Sequence, residues 1–230
     1  MKNLKKIFEK YEKNVNNQQE KQFDDYFNMI IETNKVLNLT AITEENEVLL
    51  KHFLDSILPA EKFVENSTVV DVGTGAGFPA IPLKIMRPDL KFCLVDSLNK
   101  RINFLNQVID KLNLVEIEAI HSRAEDFAKK NREKFDYAVA RAVAPLNTLV
   151  EYLLPLIKVG GEAIIYKSAK LEEEIVISKK AIEVLGGEVK SVDKFTIEDM
   201  ERNILIIKKI KNTPAKYPRD KNKPKLSPIV

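Results

Sequence analysis

Apolar residues in the first 62 positions recur with a helical period. Phe23, Phe27, Ile30 and Ile31 fall at i, i+4, i+7 and i+8, and the polar Asn34 closes the stripe at i+11. NLTAIT, 38–43, breaks the period and predicts a turn. NEVLLKHFLDSILPAEKF, 46–63, resumes it as a second helix interrupted near Pro59. From residue 68 the rhythm changes to short apolar runs, each followed by a helical segment. TVVDV precedes PAIPLKIM, KFCLVD precedes KRINFLNQVIDKL, and VEIEAIH precedes AEDFAKK. FDYAVA precedes LNTLVEYLLPLI, and GEAIIYK precedes LEEEIVISKKAIEVL. EVKSVDKFTI and NILIIKKI then follow with no helix between them, which predicts an antiparallel hairpin at the edge. The pattern is that of an α/β domain, a mostly parallel seven-stranded sheet with helices on both faces, carrying an N-terminal helical extension. The expected divisions are an extension over 1–62, a domain over 63–210 and a tail over 211–230. The tail has prolines at 214, 218, 224 and 228 and is expected to be extended.

The first predicted strand runs into DVGTGAGFPAIPL, 71–83. Glycines between a strand and a helix permit a tight turn and let a ligand approach backbone N–H groups. A dinucleotide fingerprint, G-x-G-x-x-G, would need glycine at 78, where this chain has Phe78. Gly73, Gly75 and Gly77, led by Asp71, instead resemble motif I of the class I S-adenosylmethionine-dependent methyltransferases, a Rossmann-like fold. Asp71 is expected to order the loop or meet the methionine ammonium. Asp96 ends the second strand, where a carboxylate suits the two ribose hydroxyls; its competing role is to cap the next helix. Ala124 and Glu125 follow the third strand, beside the expected adenine, although Glu125 also suits the first turn of a helix. Arg141 ends the fourth strand, facing the ligand crevice.

Composition narrows the class. The chain has 230 residues, 44% hydrophobic and 31% charged. It has no run of about 18 apolar residues that would span a membrane and no apolar core of a signal peptide near its start. The single cysteine, Cys93, excludes an internal disulfide or a cysteine zinc cluster. The expectation is a cytoplasmic monomer with no metal. Net charge is only +3, but residues 208–230 carry eight basic side chains against Asp220, a net +7 that leaves −4 for the rest. A basic tail on a mildly acidic body fits a polyanion partner or a solvated terminus equally well.

Methyl acceptors make different demands. Pyrimidine C5 methylation needs a cysteine nucleophile, and Cys93 sits mid-strand. Methylation of exocyclic amino groups goes with an Asp/Asn-Pro-Pro-aromatic tetrad after the fourth strand, where this chain has Arg141-Ala142-Val143. Guanine N7 has an in-plane lone pair and no proton to lose, so it needs orientation and proximity but no base. His52 and His121 are read as structural.

Across nearly its whole length the chain resembles the RsmG (GidB) family of bacterial 16S rRNA guanine-N7 methyltransferases. The resemblance is carried by NLTAI (38–42), HFLDSI (52–57), DVGTGAGFPAIPL (71–83), DSLNKRINFL (96–105), RAEDF (123–127), ARAVAPL (140–146), YKSAK (166–170) and KYPR (216–219). It implies that Gly73, Phe78, Asp96, Ser97, Leu98, Ala124, Glu125 and Arg141 contact S-adenosylmethionine or the reaction site. It also implies a guanosine in the 530 loop of 16S rRNA as the acceptor, met as RNA or as the 30S subunit or its precursor. Lys100, Arg101, Arg123, Arg141, Lys167, Lys216 and Arg219 would then form one cationic rim for phosphates. Two positions depart from the family pattern: Ala80 and Asn222 stand where the family favours glycine. Asn enters left-handed conformations more easily than most residues, so a turn at 222 is expected to survive. A small-molecule methyltransferase and a non-catalytic rRNA-binding assembly factor remain as alternatives, and a dehydrogenase is disfavoured by Phe78.

Overall fold

A computed structural model describes residues 1, 3–167 and 171–230 of the chain. Helix α1, Leu4–Lys10, precedes the long α2, Asn17–Leu37. A capping box starts α2: Gln19 N–H donates to Asn16 Oδ1 at 2.9 Å and Asn16 N–H to Gln19 Oε1 at 3.0 Å. Left-handed Asn38 ends it. The face that α2 buries most deeply holds Phe23, Tyr26 and Ile30, while Phe27 and Ile31 are only partly buried. Periodicity alone passed over Tyr26. It is tolerated at the centre because its hydroxyl donates to Ala76 O at 2.6 Å. Asn34, the polar end of the stripe, holds both backbone groups of Thr40 at 2.9 Å, which shapes the NLTAIT turn. Helix α3, Glu45–Val48, passes through a π-helical turn, Leu49–Leu54, into α4, Asp55–Ile57.

The strands are β1 Thr68–Val72, β2 Lys91–Asp96, β3 Ile117–His121, β4 Phe135–Arg141, β5 Ile157–Lys167, β6 Gly187–Ile197 and β7 Met200–Lys209. They form one sheet in the order β3-β2-β1-β4-β5-β7-β6, parallel from β1 to β5, with β7 antiparallel to both its neighbours. The last two strands form the expected hairpin, but only β6 is an edge. The reason lies in their residues. Ile204–Ile207 of β7 are buried in succession, as an interior strand requires. In β6, Lys190 and Lys194 are solvent-facing, which suits an edge. The linking helices are α5 Ala80–Met86, α6 Asn99–Lys111, α7 Ala124–Lys130, α8 Leu146–Leu153 and α9 Leu171–Val184.

Two apolar layers flank the sheet. One joins α5 and α6 to the N-terminal helices, with the rings of Phe8, Phe23, Phe53 and Phe78 linked in succession. The other gathers α7, α8 and α9. The N-terminal extension therefore shares the core of the sheet.

The tail is docked on the second layer. The Arg132 guanidinium donates to Thr213 O at 2.6 Å and to Tyr217 O. Arg219 grips the fully buried Glu151 with Nε (3.0 Å), Nη2 (2.7 Å) and its backbone N–H (2.8 Å). Thr148 Oγ1 donates to Pro224 O at 3.0 Å. The expectation of an extended tail fails at Lys223–Leu226, a helical turn labelled α10, because Pro224 sits in its first turn, where a missing N–H costs nothing. Residue 222 is left-handed, φ 60°, so the turn survives with Asn in place of glycine.

Replacing Arg219 by Leu leaves the Glu151 carboxylate buried and unpaired. The expected loss is about 3 kcal/mol, or roughly 10 °C in melting temperature. Adding Glu151→Leu should recover most of it; thermal unfolding of the three variants checks this.

Candidate active site

The C-terminal ends of β1 to β4 meet in a cleft of about 530 Å³, within the range of small-molecule sites. The strand order lays its loops side by side: Ser122–Glu125 after β3, Asp96–Leu98 after β2, Gly73 after β1, and Ala142 and Val143 after β4. Arg101, Tyr152 and Asn222 complete the lining. Gly73, Asp96, Ser97, Leu98, Ala124 and Glu125 are thus brought together as expected, and Arg101 and Arg123 join them here.

Asp96 organises this cleft. Its Oδ2 accepts from Gly75 N–H at 3.0 Å and from Arg101 Nη1 at 3.2 Å, and its Oδ1 accepts from Leu98 N–H at 2.9 Å. It braces the loop and does not cap α6, whose N-cap is Leu98. An ionised carboxylate has about four acceptor sites, so hydroxyl donors fit once the one-third-exposed Arg101 moves aside. Gly73 and Gly75 sit at φ 73° and 63°, and a Cβ on Gly75 would stand in open space beside Asp96. S-adenosylmethionine, with its ribose diol and its need for close backbone approach, fits these residues.

Gly77 and Phe78 face the other way. A Cβ on Gly77 would lie 2.6 Å from Ile81 and 2.9 Å from the Tyr26 hydroxyl, so its missing side chain admits α2. Phe78 stacks on the His52 ring at 4.4 Å and lies under the Arg141 guanidinium at 4.9 Å. Neither lines the first cleft.

Arg141 lines a second cleft, of about 450 Å³, with Lys51, His52, Asp55, Lys167 and Arg202. Ala142, held at φ 55°, is a wall of both clefts. Arg141 Nη1 donates to Asp55 Oδ2 at 2.8 Å and to Lys51 O at 3.1 Å, and Nη2 donates to His52 Nδ1 at 3.1 Å. Arg202 Nε lies 3.0 Å from the other Asp55 oxygen. With Nδ1 accepting, His52 carries its proton on Nε2 and donates to Thr40 Oγ1 at 2.8 Å. Burial, then the Arg141 charge, lower its pKa to about 4. Lys167 Nζ reaches Glu174 at 2.6 Å and Ala144 O at 3.2 Å, steadying the loop after β4. Residues 168–170, the end of YKSAK, lie outside the described residues.

NLTAI, HFLDSI, Gly-Phe-Pro and ARAVAPL therefore converge on one arginine. Asp55 and Arg202 were missed as site residues because no local spacing links them to Arg141. Lys100 and Lys216 are exposed and line neither cleft, and the Arg219 fork is occupied by Glu151, so the seven cations do not form one rim.

Asp71 lies beneath the loop, fully buried, with Oδ2 accepting from Ala80 N–H at 3.3 Å. It orders the start of α5, as one of the two expectations held, and does not line the first cleft. Burial pushes its pKa up to about 7, against the smaller opposing pulls of the Thr74 hydroxyl, the Ala80 N–H and Arg141. A carboxyl raised on folding binds more protons in the native state, so wild-type stability falls as pH climbs from about 4 to 7. Asp71→Asn removes that loss. Relative to wild type, the variant should gain about 2 kcal/mol between pH 5 and pH 8, measured by denaturant unfolding at both; a constant difference would refute the assignment.

Comparison with known proteins agrees with this geometry. Residues 19–205 match the profile of the family described as GidB, rRNA small subunit methyltransferase G. Proteins named ribosomal RNA small subunit methyltransferase G are similar throughout. The one from Lactobacillus acidophilus is 49% identical over 94% of this chain and 93% of its own. That from Desulforamulus reducens is 48% identical over 99% and 97%. Among solved structures, M. jannaschii TYW2 in complex with AdoMet superposes with a TM-score of 0.59 at 15% identity, covering 74% of this chain and 80% of that one. A SAM-dependent methyltransferase from Aquifex aeolicus gives 0.55 at 18% identity, covering 74% and 96%. These two establish the fold, the class I methyltransferase Rossmann-like architecture. The chain itself belongs to the rRNA small subunit methyltransferase G (GidB) family.

Proposed function

We propose that this protein transfers a methyl group from S-adenosylmethionine to N7 of a guanosine in the 530 loop of 16S rRNA, with the first cleft holding the cofactor and the second receiving the base. The carrying observation is the shared wall at Ala142, which sets a cationic cleft directly against the cofactor cleft. When bound, the cofactor supplies an electrophilic methyl group on a sulfonium. Asp96 holds the ribose, the Gly73–Gly75 turn admits the methionine end, and the loop after β3 flanks the adenine.

The acceptor follows from what the second cleft contains. Cys93 is buried within β2, and burial pushes its thiol up to about 12, which disfavours a thiolate nucleophile. Asp55 is paired with Arg141 and Arg202, Glu174 with Lys167, and both ring nitrogens of neutral His52 are engaged. None of these groups is poised to remove a proton, and guanine N7 asks for none. Lys51, Arg141, Lys167 and Arg202 supply positive charge for RNA phosphates and for the edge of a purine. The reading has a cytoplasmic monomer acting on 16S rRNA, the 30S subunit or its precursor.

The direct test incubates purified protein and labelled S-adenosylmethionine with rRNA and with 30S subunits from cells lacking the activity. Cleavage at 7-methylguanosine then maps the product. One modified guanosine in the 530 loop is expected; transfer elsewhere, or none, would sink the reading.

Two variants separate the clefts. Asp96→Ala should weaken S-adenosylmethionine binding about 10- to 100-fold, the worth of lost charge-assisted hydrogen bonds. Arg141→Lys cannot reproduce the guanidinium's contacts; it should lower methyl transfer and leave cofactor affinity nearly unchanged. Calorimetry beside the transfer assay reads both. A large loss of cofactor affinity in Arg141→Lys would place Arg141 on the cofactor instead.

A further inference from the structure

The C-terminal strap, which sequence reading assigned to RNA, ends against the cofactor cleft. Arg219 is pinned to Glu151, and the Pro224 carbonyl is pinned by Thr148. Between these anchors Lys221 and Asn222 adopt left-handed conformations, φ 54° and 60°, and turn the chain toward α7. Asn222 N–H points to Glu125 Oε1 at 3.4 Å, and Asn222 joins the cleft lining. It stands at the end formed by Ser122–Glu125, the end farthest across the strand order from the loop after β4. The inference rests on the proposed reading that this cleft holds the cofactor with Asp96 on the ribose, which puts the adenine at this end. The Asn222 carboxamide makes no capping bond to α10, and the residue is exposed where it joins the cleft lining. A carboxamide offers one donor and one acceptor side by side, the complement of the N6 and N7 groups of adenine.

We propose that Asn222 is a specificity-determining residue of the cofactor site, its carboxamide accepting from adenine N6–H and donating to N7. The C-terminal strap thereby becomes a wall of the cleft beside the four strand-end loops. Its tail sequence serves the cofactor through Asn222, while Arg219 and Pro224 hold the turn in place. The inference concerns the cofactor alone and stands apart from the choice of acceptor base.

The test is calorimetric binding of S-adenosylhomocysteine and its 7-deaza-adenosyl counterpart to the full chain, wild type and Asn222→Gly, without RNA. Glycine keeps the left-handed turn, and an unchanged melting temperature verifies that the strap stays docked. Wild type should bind the 7-deaza ligand about tenfold more weakly than the natural one, the scale of a lost base-edge contact. In Asn222→Gly the natural ligand should weaken by about the same factor, and the two ligands should then bind alike. A 7-deaza penalty that persists in the glycine variant, or one absent from wild type, overturns the proposal. Failure of wild type to bind S-adenosylhomocysteine at all overturns it together with the cofactor assignment, an outcome that the rRNA transfer assay reads independently.

Discussion

The pairing of Arg141 with Asp55 is the interaction on which the second cleft depends, and with it the wall at neighbouring Ala142 that the two clefts share. It joins the end of a central strand to a helix of the N-terminal extension, with the partners 86 positions apart. Both groups are largely buried, so neither tolerates loss of the other; breaking such a pair costs about 3–5 kcal/mol. The guanidinium also orders its surroundings. It fixes the His52 tautomer, lies over the Phe78 ring and meets the Lys51 carbonyl within the π-helical turn. Such turns often mark functional sites. Here the turn spans Leu49–Leu54, immediately before Asp55.

The glycine loop divides its work along the same boundary. Gly73, which lines the first cleft, and Gly75 stand on the Asp96 side, where left-handed backbone meets that carboxylate. Gly77 and Phe78 belong to the helical side, where the absent Cβ of Gly77 lets the Tyr26 hydroxyl reach Ala76 O. A substitution at Gly77 would therefore act by pushing α2 away from the loop and not by entering the first cleft. Buried Asp71 lies below both halves and ties the strand end to the first N–H of α5.

Charge is distributed by the same logic. The tail's excess of basic residues fitted a polyanion partner and a solvated terminus equally well. Within it Lys209 lies fully buried against Leu154 O and Thr213, Arg219 neutralises Glu151 and Lys208 pairs with Glu162, while Lys211, Lys216, Lys221, Lys223 and Lys225 stay exposed. Cations aimed at a cleft come from elsewhere in the chain: Arg101 and Arg123 at the first, and Lys51, Arg141, Lys167 and Arg202 at the second.

Much of the fold was legible because its signals are local. Strand and helix periods, the Asp71-led glycine run and the acid ending β2 each act within a few residues, and the structure places Gly73, Asp96, Ser97, Leu98, Ala124 and Glu125 around one cleft. The family motifs were equally legible as strings, but their common purpose was not. Thr40, His52, Asp55, Phe78 and Arg141 meet only after α2, α3 and α4 pack on the sheet. Likewise the tail sequence carried charge and prolines, while its docking depends on a buried Glu151 that no spacing in the chain announces. Sequence alone determined the strand–helix order, the glycine turn and the carboxylate at the end of β2, because backbone preference and hydrophobic period are written residue by residue. Tertiary structure decided which cation faces which cleft, because a charge takes its partner from whatever packing brings within about 3 Å: Arg219 meets Glu151 across 68 positions and Arg141 meets Asp55 across 86.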